Sequence, residues 1–179
     1  LQQKAVIAIL LLFTVNARSQ NDSLAYERLE KDSQWNLVFK DKCTKDWKQN
    51  WTLDGLIATV ENTKNGMHFA AGPEFKNNAH HAVLWTKESY AGDIKIEYDY
   101  TRTDTAKRFV NILYFHATGS GDADHPEDIA LWAENRKVPS MRTYFNHMNT
   151  YHVSYAAFGQ KSLEGYEDYV RVRRYNPNA

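Results

Sequence analysis

Between Asp93 and His116 apolar residues recur with a period of two, and that period restricts the fold more than any other feature of the chain. Ile94, Ile96, Tyr98 and Tyr100 alternate with Lys95, Glu97, Asp99 and Thr101. In an extended strand the two sets point to opposite faces, so one face is expected to be buried and the other wet. The run from Phe109 to His116 is apolar on both faces, as a central strand in a two-layer stack would be. Alternation there puts Val110, Ile112, Tyr114 and His116 on one side, and Phe109, Asn111, Leu113 and Phe115 on the other.

Shorter strand-like runs follow the same rule. Leu56 to Val60, Met67 to Ala71, Ala79 to Thr86, Tyr151 to Phe158 and Tyr169 to Tyr175 are apolar or alternating, and most are bounded by Asn, Gly or Pro. In the last run Tyr169, Arg171, Arg173 and Tyr175 share a face, with Val170 and Val172 on the other. One short helix is expected at Ile129 to Asn135, with Asp124 as its N-cap and Pro126 and the neighbouring acids in its first turn. No repeat or heptad interrupts this pattern. Many short strands and one short helix predict an all-β protein, an antiparallel β-sandwich. The close, Arg173-Arg174-Tyr175-Asn176-Pro177, reads as an unfinished edge, so a C-terminal continuation is expected.

The chain has 179 residues, enough for one domain with its own core. The expected organisation is a signal peptide at 1–19, a polar lead-in at 20–50 with one short strand at Trp35 to Phe39, and the sandwich at 51–179. Lys4, the apolar run Ala5 to Val15 and the small residues Ala17 and Ser19 carry the export reading. That run is too short to span a bilayer, so a secreted or periplasmic protein with no membrane span is expected. A formal net charge of zero argues against nucleic acid or an anionic membrane as partner. The one cysteine, Cys43, excludes an intrachain disulfide and a Cys-based zinc site.

Chemistry concentrates between Asn111 and Tyr155. Asn111, Tyr114, His116, Arg142, Tyr144, Asn146, His147, Tyr151 and His152 fall there, joined by His81 from the pair His80-His81. Read as strand residues, His80 and His81 point to opposite faces, one toward the core and one toward a groove. A polysaccharide lyase needs a donor to neutralise a uronate carboxylate, a base to take the C5 proton and an acid for the leaving oxygen. Asn111 and Arg142 fit the first role, His81 or His147 the second, Tyr144 or Tyr151 the third. The rival is a non-catalytic sugar-binding module with Trp85, Trp132, Tyr114 and Tyr144 as stacking faces. On either reading Asn111, Tyr114, His116, Arg142, Asn146, His152, Trp85 and Trp132 bind substrate. A structural or partner-binding β-domain is the third reading.

Several motifs are weighed and set aside. Glu97 and Asp99 would share a strand face, as paired carboxylates must, but Arg102 and Thr103 stand where a further Glu is needed. His116, His147 and His152 supply three imidazoles without zinc-ligand spacing, and Asp122 to Asp128 lacks the full calcium-loop pattern. No metal and no cofactor is therefore expected.

Three segments resemble a known family: Met67-His-Phe-Ala-Ala-Gly-Pro-Glu-Phe-Lys-Asn-Asn-Ala-His-His-Ala-Val-Leu-Trp-Thr86, Gly92-Asp-Ile-Lys-Ile-Glu-Tyr-Asp-Tyr100 and Asn149-Thr-Tyr-His-Val-Ser-Tyr155. Together they resemble the bacterial family known as domain of unknown function 1961, over roughly Trp51 to Asn178. The resemblance implies a concanavalin A-like jelly roll of the lectin and glucanase superfamily, working alongside the breakdown of pectin-type or other acidic polysaccharides. It also implies further strands that close the second sheet. It implies no catalytic motif. The combined expectation is a secreted protein acting on an acidic polysaccharide or oligosaccharide, by lyase-like Tyr/His chemistry or by binding alone.

Overall fold

The computed structural model describes residues 23–32, 34–104, 110–157 and 169–177 of the chain. The expected signal peptide and Phe109 lie outside them, as does Phe158. Two compact units are present, Leu1–Lys40 and Asp41–Ala179.

In the first unit residues 23–31 are helical, with Lys31 and Glu27 paired one turn apart at 3.6 Å. Trp35 Nε1 donates to the Leu29 carbonyl at 2.9 Å. Trp35 to Phe39 forms no strand, which corrects the extended lead-in. The polar run carries helix-forming residues from Leu24 to Lys31, and their i,i+4 pairing decides the local structure.

The second unit is mostly β, with three small antiparallel sheets and few helices. Its strands are β1 (Trp51–Asp54), β2 (Thr59–Thr63), β3 (Gly66–Ala70), β4 (Val83–Thr86), β5 (Asn111–Gly119), β6 (Met148–Ala157) and β7 (Tyr169–Tyr175). β1 pairs with β4, β2 with β3, and β5-β6-β7 form the largest sheet. Residues 41–50 belong to this unit, because Asp41 accepts from Asn50 Nδ2 and Trp51 Nε1 at 2.9 Å each. Asn62 of β2 accepts from the Trp47 backbone N–H and donates to the Cys43 carbonyl.

Three local expectations change. The alternating run Asp93 to Arg102 forms no strand pairing among the described residues, and Ile94, Ile96, Tyr98 and Tyr100 are all exposed. Alternation fixes which side chains share a face but does not supply a partner strand. The helix at 129–135 is a 3₁₀ helix, Ile129–Arg136, bent at Trp132 and capped by Asp128, whose carboxylate accepts from the Ala130 N–H at 2.9 Å. Asp124 is not its cap. An α-helix that the sequence did not announce, Met141–His147, leads directly into β6.

The core lies between the β1-β4 ribbon and one face of the β5-β6-β7 sheet. Trp85, Trp132, Tyr144, Met148 and Tyr175 are buried there, with Val83, Tyr114, Ala117 and Ile129 packed against them. Tyr114 stacks on both Trp85 (5.6 Å) and Tyr144 (5.7 Å). Such ring pairs add about 0.5–1.5 kcal/mol each beyond the area they bury. At the centre the buried carboxylate of Asp54 accepts three hydrogen bonds on one oxygen: Trp85 Nε1 at 2.7 Å, Arg136 Nε at 2.7 Å and the Tyr144 hydroxyl at 2.9 Å. Arg136 lies 4.3 Å from the Trp132 ring and donates a second bond to the Ile129 carbonyl. The charge pair is thus fully satisfied, as a buried pair has to be. Among the described residues no helix is long and apolar enough to cross a membrane.

Candidate functional site

The β5-β6-β7 sheet has two unlike faces. Cross-strand register puts Tyr114 opposite His152, and His152 opposite Arg173. On this side Thr150, His152, Ser154 and Tyr175 are buried. The other side places Phe115 opposite Tyr151, and Tyr151 opposite Arg174. There Tyr151, Val170, Val172 and Arg174 are open to solvent.

On the inner face His152 Nδ1 meets the Tyr175 hydroxyl at 2.5 Å, and its Nε2 meets the Ser154 hydroxyl at 2.7 Å. The Tyr114 ring lies 6.3 Å from that of Tyr175, and its hydroxyl donates to Met141 Sδ at 3.6 Å. Burial, followed by the nearby Arg173 and Arg171, holds the His152 imidazole below its usual range, so it stays neutral. Burial and the Asp54 carboxylate push the Tyr144 hydroxyl far above the phenol range. Tyr114 is raised in the same way by burial and then by Tyr175. These groups are locked into a satisfied internal network.

This arrangement corrects part of the expected site. Tyr144 has no solvent exposure and spends its hydroxyl on Asp54, so it is a core residue rather than an open acid. Trp85 and Trp132 are buried too, and Tyr114 stacks within the core; none offers a free sugar-stacking face. His152 is enclosed, at 3 % exposure. Large aromatic rings carry the most burial energy per residue, and the small sheets of this unit use them for that.

Other expected residues lie at the surface. Tyr151 is exposed, its ring stacked on Phe115 at 5.2 Å and 16°, with the Arg174 guanidinium 5.8 Å away. His116 joins this row instead of Tyr114's side. The β5-β6 register shifts between Phe115 and Thr118, and His116 takes a left-handed backbone with φ 53°. The bulge turns its exposed imidazole toward Tyr151, at 6.1 Å between rings. Asn111 sits opposite Tyr155 at the far end of β5, on the same side as Phe115. Burial, then Tyr98, pushes the Tyr155 hydroxyl up, and Tyr98 and Tyr100 both meet its ring edge-on. Arg142 and Asn146 are exposed on the helix Met141–His147, and Asn146 helps line a shallow hollow of about 300 Å³ with Phe145, Asn176 and Pro177. Among the described residues no hydrogen bond joins either to Asn111.

The histidine pair also differs from its strand reading. His80 closes a 3₁₀ turn, Asn78–His80, and His81 caps it. His80 is buried and accepts from the Glu74 backbone N–H. His81 Nδ1 lies 3.1 Å from the Pro139 carbonyl, which can only accept, so Nδ1 carries the hydrogen.

His147 stands apart from the sheet's open face. Its ring stacks on His125 at 3.9 Å and 8°, and His125 Nδ1 lies 2.9 Å from Asp122 Oδ1. Ligand atoms of Asp122, His125 and His147 all fall within 4.8 Å of one another. The Ser120 hydroxyl, together with bonds from His125 and Asp124, holds the Asp122 carboxyl down to about 2. His125 was missed in the sequence because it sits among acids that already explained a helix start. Asp54 and Arg136 were missed because 82 residues separate them and no local spacing links them. No protein-family model, no curated protein and no solved structure matches this chain.

Proposed function

We propose that this is a secreted β-protein that binds an acidic polysaccharide on the open face of its three-stranded sheet. The row Arg174–Tyr151–Phe115, with His116 turned onto it by the β5 bulge, carries the reading. A guanidinium forks onto a uronate carboxylate, a phenol and an imidazole bond sugar hydroxyls, and a phenyl ring covers apolar C–H groups. All four stand on paired strands, a rigid support for a repeating ligand. The strained backbone of His116, a non-glycine residue at positive φ, is the kind retained where a side chain must be aimed. A sheet with one buried and one wet face is compatible with half of a concanavalin-like jelly roll, the architecture the resemblance implies, and we extend the proposal to that fold.

Binding without turnover is favoured, because Tyr144, Tyr114 and His152 are committed to the core. One observation keeps the lyase reading in second place. The bond from His81 Nδ1 to the Pro139 carbonyl fixes the tautomer in which Nε2 has a lone pair to accept a proton, as a base needs.

Calorimetric titration with oligogalacturonates, alginate oligomers and a neutral β-glucan oligomer tests the proposal. Saturable binding of an acidic oligomer is expected, weakened about tenfold or more, or about 1.4 kcal/mol, by Tyr151→Ala and by Arg174→Ala. Failure of every acidic oligomer to bind would sink it. Ultraviolet absorbance from unsaturated ends in the same mixtures would instead move the reading to a lyase.

A further inference from the structure

We propose that Asp122, His125 and His147 form a binding site for one divalent transition-metal ion of the zinc class. The site is separate from the sugar-binding row and does not depend on it. Its three side chains come from two stretches of chain, the loop after β5 and the end of the helix Met141–His147. One backbone bond ties the two together, the Ser120 N–H donating to the His147 carbonyl at 2.9 Å, and a second, from the Gly121 N–H to the His125 carbonyl at 2.9 Å, closes the loop on itself. Trp132 packs edge-on to the His125 ring at 5.0 Å. The three side chains are therefore held close together, and an ion bound by both imidazoles would turn one ring out of their 3.9 Å, 8° stack.

The donor set selects the ion. Two imidazoles and one carboxylate suit zinc, nickel, cobalt and related ions, whereas calcium asks for six or more oxygens. His125 Nδ1 now lies 2.9 Å from Asp122 Oδ1 in a hydrogen bond, which an ion bound by both groups would replace. Ligand atoms of all three side chains lie within 4.8 Å of one another. His125 and His147 are half-buried and Asp122 is exposed, so an ion has a path in. Asp122 also organises its loop, accepting from the N–H groups of Asp124 and His125. That role accounts for Asp122 and for the pairing of His125. It does not account for the delivery of His147 from another element to the same point. Three protein ligands leave open positions for water or an anionic ligand.

Equilibrium dialysis of the full chain against zinc chloride tests the site. One ion per chain is expected, with His125→Ala and His147→Ala each weakening binding at least about tenfold. His68→Ala, an exposed histidine on β3, should leave binding unchanged. Thermal melts give a second readout: zinc should raise the Tm of the wild type and of His68→Ala, but not of His147→Ala. If a histidine variant fails to fold, Asp122→Asn takes its place, since it keeps an oxygen for the loop bonds while losing the charge. A wild-type chain that binds no zinc, or zinc binding that survives in the folded site variants, would overturn the proposal.

Discussion

Asp54 is 2 % exposed and Arg136 1 %, and each is the other's counter-charge. Their pairing is what allows an ionised carboxylate to sit beneath Trp85 and Tyr144. Asp54→Asn keeps the shape and one oxygen acceptor but leaves the guanidinium uncompensated. We expect it to destabilise the fold by about 3–5 kcal/mol in urea unfolding. Unfolding at the wild-type midpoint would show that the pair is not the centre of the core. At this scale the sequence was only partly legible. That Tyr and Trp would matter was plain from their number. Whether a given ring faces water is decided by the elements that cover it, and Tyr144 and Trp85 are covered while Tyr151 is not.

At the level of elements, β7 has the bounds the alternation predicted, and β5 and β6 overlap their expected runs. The segment Asp93 to Arg102 had the clearest period and yet forms no strand pairing among the described residues, although Tyr98 and Tyr100 meet the Tyr155 ring. Periodicity describes a strand's faces, whereas pairing depends on which edge the rest of the chain presents. The β5 bulge left no mark in the sequence either, since histidine tolerates the left-handed region without the signal a glycine would give. It reverses the side expected for His116. His116→Gly should release about 1 kcal/mol of left-handed strain, offset by the larger entropy of glycine in the unfolded chain, and so leave stability near the wild type while weakening acidic-oligosaccharide binding. Lower stability in thermal melts, or unchanged binding, would contradict a strained residue retained for ligand contact.

For the molecule as a whole, short runs and frequent turn residues made a mostly β fold legible. The division into three small sheets was not, because it rests on long-range closure between β1-β4 and β5-β6-β7 through Asp54, Arg136 and the stacked rings. The chemistry of the expected site divides along the same line. Its inward members Trp85, Trp132, Tyr114, Tyr144 and His152 pack in the core, and its outward members Tyr151 and His116 stand with Arg174 on the face we propose for the ligand. The most direct measurement of this claim is the amide correlation spectrum of the labelled protein during titration with an oligogalacturonate. Shifts should concentrate at residues 114–117, 150–152 and 173–175. Shifts confined to other segments, or none at saturating oligomer, would contradict it.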